Sequence, residues 1–178
     1  FKLSGFIMLL ILCQSKTEST AQLLTDEFLI DTQLIAQHLD TPWEILWGPD
    51  NYIWITERYG RISRIDPATG ELTTLLILDD VHEESESGLL GMALHPDFFE
   101  HPYVYVVYNY FEGSIRERVA RYTYSDTELT DAMILLDNVP GNRTHNGSRI
   151  LVGPDSLLYF SLGDAGTRSY SQDISSLN

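Results

Sequence analysis

The stretch LWGPDNYIWIT, residues Leu46–Thr56, recurs in altered form twice later in the chain. The related stretches are ALHPDFFEHPYVYVV, residues 93–107, and LVGPDSLLYFS, residues 151–161. Each begins with apolar residues, continues with Gly or His and then Pro-Asp, and ends in a run typical of a β-strand. Because proline fixes φ and aspartate can bond its own backbone, the dipeptide predicts a tight turn between two antiparallel strands.

The spacing of these turns predicts the architecture. Their prolines are residues 49, 96 and 154, so the intervals are 47 and 58 residues. Runs rich in β-branched and aromatic residues predict strands at Tyr52–Arg58, Gly60–Asp66, Tyr103–Tyr110, Arg118–Tyr124 and Ser156–Leu162, with a turn at Pro67–Leu72. An all-β chain with such a period is typical of a β-propeller of four-stranded blades, of which this chain would cover about two to three. We therefore interpret it as the N-terminal part of a longer propeller.

The N-terminus predicts export. Lys2 precedes the apolar run Phe6–Leu12, and the small residues Ser19–Ala21 follow, which predicts a secretory signal peptide over residues 1–21 and a propeller domain over residues 22–178. The run is too short for a transmembrane anchor, so a secreted or periplasmic location is expected. Cys13, the only cysteine, is the alternative site for a lipid anchor, although Ile11-Leu12 match that signal poorly.

The net charge of the chain limits the kinds of partner that it can bind. The 178 residues include 26 acidic and 11 basic side chains, a net charge of −15, which argues against binding nucleic acid. The acidic run Asp79–Glu86 matches no calcium-loop spacing, so we predict a solvated loop and assign no metal ligand. His95 is predicted to be structural. The tryptophans are predicted to pack between blades rather than to stack on a sugar: Trp43, Trp47 and Trp54.

The segment from Val139 to Gly166, VPGNRTHNGSRILVGPDSLLYFSLGDAG, carries the candidate chemistry. His145 precedes and Asp164 follows two predicted strands, and a hairpin returns the chain to the end where it began. An imidazole, with a reference pKa of about 6.5, can accept a proton, and a carboxylate beside it fixes the tautomer. This predicts a general base with its orienting group. The alternative is an exposed loop histidine and a turn-forming aspartate.

Three blocks, Thr41–Ile65, Ser87–Phe98 and His145–Asp164, together resemble the soluble quinoprotein glucose dehydrogenases and the wider glucose/sorbosone, or aldose sugar, dehydrogenase family. The resemblance implies a six-bladed propeller with pyrroloquinoline quinone (PQQ) over its channel and Ca²⁺ bridging protein and cofactor. It implies oxidation of an aldose at the anomeric hydroxyl to a lactone, with hydride passing to PQQ and electrons leaving to an external acceptor. His145 matches the catalytic base and Asp164 the aspartate that orients it.

The same resemblance implies four substrate-binding positions: Glu86, Thr144, Asn146 and Arg149. Thr144 stands where aspartate is frequent, Glu86 where glutamine contacts the sugar, and Ser148 where glycine is usual, so the identity of the sugar stays open. The family's PQQ and calcium ligands lie beyond Asn178, and this chain alone is expected to be inactive. The alternative function is a non-catalytic propeller of the same family that binds a carbohydrate or a protein partner.

Overall fold

The computed structural model describes residues 23–25 and 28–178. The chain divides into two units, residues 1–34 and residues 35–178. In the first, β1 (Leu23–Thr25) pairs antiparallel with β2 (Phe28–Ile30). The predicted signal peptide, its cleavage position and Cys13 lie outside the described residues. In the part that is described, no helix is long and apolar enough to cross a membrane.

The second unit consists of antiparallel sheets in which strands neighbour each other in chain order. The first sheet contains β3 (Pro42–Trp47), β4 (Ile53–Glu57), β5 (Arg61–Ile65) and β6 (Leu72–Ile77). The second contains β7 (Leu89–Leu94), β8 (Tyr103–Phe111), β9 (Ile115–Tyr124) and β10 (Leu129–Pro140). The hairpin β11 (Gly147–Val152) and β12 (Leu158–Leu162) follows, and then a 3-10 turn at Tyr170–Gln172. The prediction of an all-β chain covering two to three blades is confirmed.

Apolar packing stacks these sheets in order along the chain. The larger core lies between the first two sheets and includes Trp54 and Ile62 from the first and Met92 and Val106 from the second. A smaller core joins the second sheet to the hairpin through Ala93, Val107, Val119 and Ile150. Since burying one large apolar side chain stabilises a fold by about 1.5–3 kcal/mol, these clusters hold each sheet against the next.

The first strand of each sheet sets the position of the loops. β7 lies beside both β3 and β11. The predicted Pro-Asp turns connect β3 to β4, β7 to β8 and β11 to β12, so all three lie at one end of these first strands. The loops that precede β7 and β11, residues 78–88 and 141–146, meet at the opposite end, where the Glu86 carboxylate accepts the His145 backbone N–H at 2.9 Å.

The tryptophan prediction is right for one residue and wrong for two. Trp54 is fully buried in the larger core, but Trp43 and Trp47 on β3 are 45% and 63% exposed. They lie with Ile45 at alternate positions of β3, whereas Glu44 is buried and Leu46 packs against the core. In the described part of the chain, the face of β3 that carries Trp43, Ile45 and Trp47 is open, although Ile55, which pairs with Ile45 from β4, is buried.

Candidate active site at the start of the β11–β12 hairpin

The hairpin brings His145 and Asp164 into contact. Gly147 pairs with Leu162, and beyond this pair the Gly163 N–H donates to the Asn146 carbonyl at 2.7 Å and the Ala165 N–H to the His145 carbonyl at 3.1 Å. A Cβ on Gly163 would lie 1.8 Å from the His145 carbonyl oxygen, so this close approach needs glycine. His145 Nδ1 then lies 3.1 Å from Asp164 Oδ1. The two side chains lie at the same end of the hairpin, as the sequence predicts.

The environment of Asp164 fixes the orientation of the imidazole. The Gly166 N–H donates to Asp164 Oδ1 at 2.8 Å, and this bond is the main reason that the pKa of Asp164 lies below its ordinary value. An ionised carboxylate only accepts hydrogen bonds, so in the neutral imidazole Nδ1 carries the hydrogen and Nε2 is the proton acceptor. The His145 side chain is 62% exposed, which leaves it accessible to a substrate.

The backbone of His145 is held from the neighbouring loop. Its φ is 62°, a left-handed conformation that costs a residue with a Cβ about 1–2 kcal/mol. Besides accepting the His145 N–H, Glu86 donates its own backbone N–H to the Arg143 carbonyl at 2.8 Å. The structure thus places Glu86, predicted to bind substrate, against the backbone of His145. Sequence spacing carries no signal for this contact, because it joins residues from different loops.

The carboxylates of the acidic run are mostly exposed, in agreement with the predicted solvated loop, and several of them also have cationic partners. Three of its carboxylates form ion pairs: Asp80 with Arg118 at 2.9 Å, Glu83 with Arg58 at 3.0 Å and Glu84 with Arg143 at 2.8 Å. The partners come from other parts of the chain, which a local pattern cannot reveal. Within the described ranges, no group of three or more His, Cys, Asp or Glu side chains is arranged to hold a metal ion.

Comparison with known proteins identifies the family. The sequence profile of the family described as Glucose / Sorbosone dehydrogenase matches residues 39–178. The chain belongs to the glucose/sorbosone dehydrogenase family. Quinoprotein glucose dehydrogenase B of Acinetobacter calcoaceticus is 34% identical over 148 residues, which are 76% of this chain and 31% of that protein. Human Hedgehog-interacting protein is 31% identical over 132 residues, 63% of this chain and 19% of its own length.

A solved family member shows the same architecture. The PQQ-bound form of aldose sugar dehydrogenase from Streptomyces coelicolor matches with a TM-score of 0.75 and 32% identity, over 82% of this chain and 45% of that one. The sheets described above are therefore blades of a β-propeller, and the chain covers part of it. The chain spans less than half the length of each of these three relatives.

Two other predicted substrate-binding positions, Asn146 and Thr144, lie in the loop around His145. The buried Asn146 side chain accepts the Asn142 N–H at 2.9 Å and donates to the Asn142 carbonyl at 2.7 Å. Asn142 in turn donates from its side chain to the Ala165 carbonyl at 2.7 Å, which ties the loop to the turn after Asp164. Asn146 thus braces the loop, and Thr144 is half-buried between its neighbours. The substrate-binding roles of both stay predictions.

Arg149 lies on β11 and reaches across to β3. Its Nη1 donates to both carboxylate oxygens of the buried Glu44, at 3.0 and 2.9 Å, while most of the Arg149 side chain is exposed. This pair joins the first strands of two different blades. The contact of Arg149 with substrate also stays a prediction, because the guanidinium group is paired with Glu44.

The opposite end of the first strands carries the Pro-Asp turns and a cavity with a mainly apolar lining. A cavity of about 470 Å³ there is lined mainly by apolar side chains, among them Leu46, Met92, Leu94 and Ile150. His95 borders it, and the His95 ring packs edge-on against His101 with 5.2 Å between centroids, while His95 Nδ1 accepts the Asp97 N–H at 3.1 Å. These contacts support the structural role predicted for His95.

Proposed function

We propose that the protein oxidises aldose sugars at the anomeric C–OH to lactones, with His145 as general base. The observation that carries this proposal is the 3.1 Å contact of His145 Nδ1 with Asp164, in a histidine whose ring is open to solvent. Nε2 takes the proton of the anomeric hydroxyl while hydride leaves the anomeric carbon, so the C–O bond becomes the lactone carbonyl. Asp164 stabilises the imidazolium that forms.

The hydride acceptor proposed is PQQ. The quinoprotein name of the Acinetobacter relative and the PQQ-bound Streptomyces structure support it. When bound, PQQ would supply the two-electron acceptor, and an external acceptor would reoxidise it. The described residues hold no carboxylate cluster that fits calcium, and the guanidinium groups of Arg143 and Arg149 are paired with Glu84 and Glu44. We therefore assign no Ca²⁺ ligand and no PQQ ligand among the described residues, and PQQ enters the proposal only as the acceptor of the hydride.

Sugar recognition is proposed for the rim formed by Glu86 and Thr144. An ionised glutamate only accepts hydrogen bonds, so Glu86 would select sugar hydroxyls as donors. Since one Glu86 oxygen already accepts the His145 N–H, a sugar bound there would contact the same group that holds the base. Replacing Glu86 with Gln should change the ranking of aldoses by kcat/KM.

The test uses the intact protein reconstituted with PQQ and calcium, followed by dye reduction with several aldoses. His145→Ala should lower kcat by about 10²- to 10⁴-fold, the usual contribution of a general base. His95→Ala is the matched control, because His95 lies at the opposite end of the first strands and should leave the rate unchanged. Equal rates in wild type and His145→Ala would remove His145 from the mechanism.

The second candidate is a propeller that binds a carbohydrate or protein without chemistry. The 31% identity to human Hedgehog-interacting protein is the observation that supports this second candidate. An intact protein that binds no PQQ in equilibrium dialysis and oxidises no aldose would support this function over the first. We also propose export by a signal peptide ending at Ala21, which N-terminal sequencing of the mature protein tests by looking for Gln22.

A further inference from the structure

Glu117 is a buried carboxyl group beside the proposed site. It lies on β9, opposite Asn109 on β8 and Val139 on β10, and it is 1% exposed. Its Oε1 bonds the hydroxyl of Ser148 on β11, so the contact joins the second blade to the hairpin. Its Oε2 is buried and has no hydrogen-bond partner among the described residues.

These surroundings disfavour the ionised form. A buried carboxylate is stable only with several donors or a cation, and here a single hydroxyl is available. Neither Asn109, Val139 nor Ser148 is charged, and no ion pair in the described part of the chain involves Glu117. Burial accordingly raises the pKa of Glu117 to about 8. At neutral pH the group is mainly a carboxylic acid, which has a proton to donate.

The Ser148 hydroxyl links Glu117 to the candidate site. It donates to Glu117 Oε1. Ser148 Oγ also lies 3.4 Å from the Asn146 carbonyl oxygen, which accepts the Gly163 N–H at 2.7 Å. These contacts run from β9 to the residues that immediately adjoin His145 and Asp164.

The segment that receives this contact has an unfavourable backbone. φ is 62° at His145, 75° at Gly147 and 72° at Ser148. Glycine adopts such angles freely, but serine and histidine need contacts that hold them there. A hydroxyl pinned by a buried acid is such a contact for Ser148.

We propose that Glu117 is a positioning residue whose contact with the Ser148 hydroxyl holds the segment around His145, and that ionisation of Glu117, which leaves a buried charge without a cation, favours local opening of that segment to water. The role of this contact in turnover rests on the proposed sugar oxidation. The contact itself is a property of the fold and can be tested without activity.

The first experiment compares the intact wild type with Glu117→Gln, whose amide oxygen can still accept from the Ser148 hydroxyl but cannot ionise. Infrared difference spectra at neutral pH should contain a carboxylic-acid carbonyl band that Glu117→Gln removes. Hydrogen-exchange protection of the Gly163 amide should fall above about pH 8 in wild type and stay constant in Glu117→Gln. A carboxylate band at neutral pH, or equal protection profiles, would overturn the proposal.

The second experiment measures turnover against pH with the quinone-loaded protein. Wild type should lose about tenfold in kcat relative to Glu117→Gln on the alkaline side, with KM unchanged, because small displacements of a catalytic group cost rate. Ser148→Gly tolerates the backbone angle but lacks the hydroxyl, so it should lower kcat and Gly163 protection at every pH. A wild-type to Glu117→Gln ratio that is flat with pH, or Ser148→Gly equal to wild type, contradicts the proposal. If no aldose is oxidised, the first experiment still tests whether the contact of Glu117 with Ser148 holds the segment.

Discussion

The two ends of the strands β3, β7 and β11 use their polar residues differently. At the Pro-Asp end, Asp50 accepts the Trp54 indole N–H at 3.0 Å and Asp155 accepts the Tyr159 hydroxyl at 2.6 Å, in each case four residues along the chain. The turn backbones agree as well: the Gly48 N–H donates to the Tyr52 carbonyl at 2.8 Å, and Gly153 repeats this with Leu157 at 2.8 Å. Repeated residues here make repeated local structure.

The His145 end shows no such repetition. Its contacts join different loops, as between Glu86 and His145, or the segments before and after one hairpin, as between His145 and Asp164. The comparison teaches that the repeat builds the blades, while the residues that interrupt the repeat build the candidate site.

The largest effect is expected from Asp164→Asn. The amide keeps the size of the side chain but no longer stabilises an imidazolium or fixes the tautomer, so kcat should fall by about 10²- to 10⁴-fold. Asp155→Asn is the matched control at the other end and should leave kcat unchanged. Steady-state kinetics of both variants checks this, and comparable losses in the two would abolish the distinction between the ends.

Trp54→Ala should reverse the pattern, with a large loss of stability and an intact site. Trp54 is fully buried and its indole N–H is bonded to Asp50, so the free energy of unfolding should fall by about 3–5 kcal/mol. Urea unfolding of the intact protein measures this, and kcat well below the melting temperature should stay close to wild type. An unchanged midpoint would show that the larger core does not depend on this residue.

Glu117 makes stability depend on pH. Its pKa is about 8 in the fold against an ordinary 4.5, so between these values the unfolded chain releases a proton that the fold retains. The free energy of unfolding should therefore fall as pH rises, by at most about 1.4 kcal/mol per pH unit, and level off above about pH 8. Glu117→Gln should lack this slope in urea unfolding across the range. Asp155 gives the opposite direction, since the Tyr159 hydroxyl lowers its pKa.

The smallest expected effect is a difference in stability between variants of two equivalent Pro-Asp turns, at Asp50 and at Asp155. Asp50→Ala leaves the buried indole N–H of Trp54 without its acceptor, which should cost about 1–3 kcal/mol of unfolding free energy. Asp155→Ala frees only an exposed tyrosine hydroxyl and should cost less than about 1 kcal/mol. Thermal unfolding of the two variants side by side checks the order. Equal shifts would mean that the turn, rather than its aromatic partner, sets the cost.

Strands with dense β-branched and aromatic residues are predictable from the sequence. The runs Tyr52–Arg58 and Tyr103–Tyr110 correspond to β4 and β8 within about two residues. Composition does not predict β10, whose twelve residues include three register shifts and left-handed angles at Asp131 and Asn138. The residues of β10 do not by themselves favour a strand, and its hydrogen bonds to β9 hold it in the extended conformation.

The candidate site divides in the same way. His145 and Asp164 are predictable because one hairpin connects them, and hairpin geometry follows from local sequence. The contacts of Glu86, Arg149 and Glu117 are not, since each depends on how one sheet is placed against another. Trp47 is misjudged for the same reason, because its burial depends on which face of β3 a neighbour covers.

Glu84 forms an ion pair with Arg143, and Glu86 accepts the His145 N–H. Through these two contacts the length of the β6–β7 loop determines where His145 lies. An insertion or deletion of one residue in that loop would shift both contacts together. It would thereby displace His145, which lies 59 positions after Glu86 in the chain. Variants that test the proposed sugar-binding role of Glu86 should accordingly change side chains and keep the length of this loop.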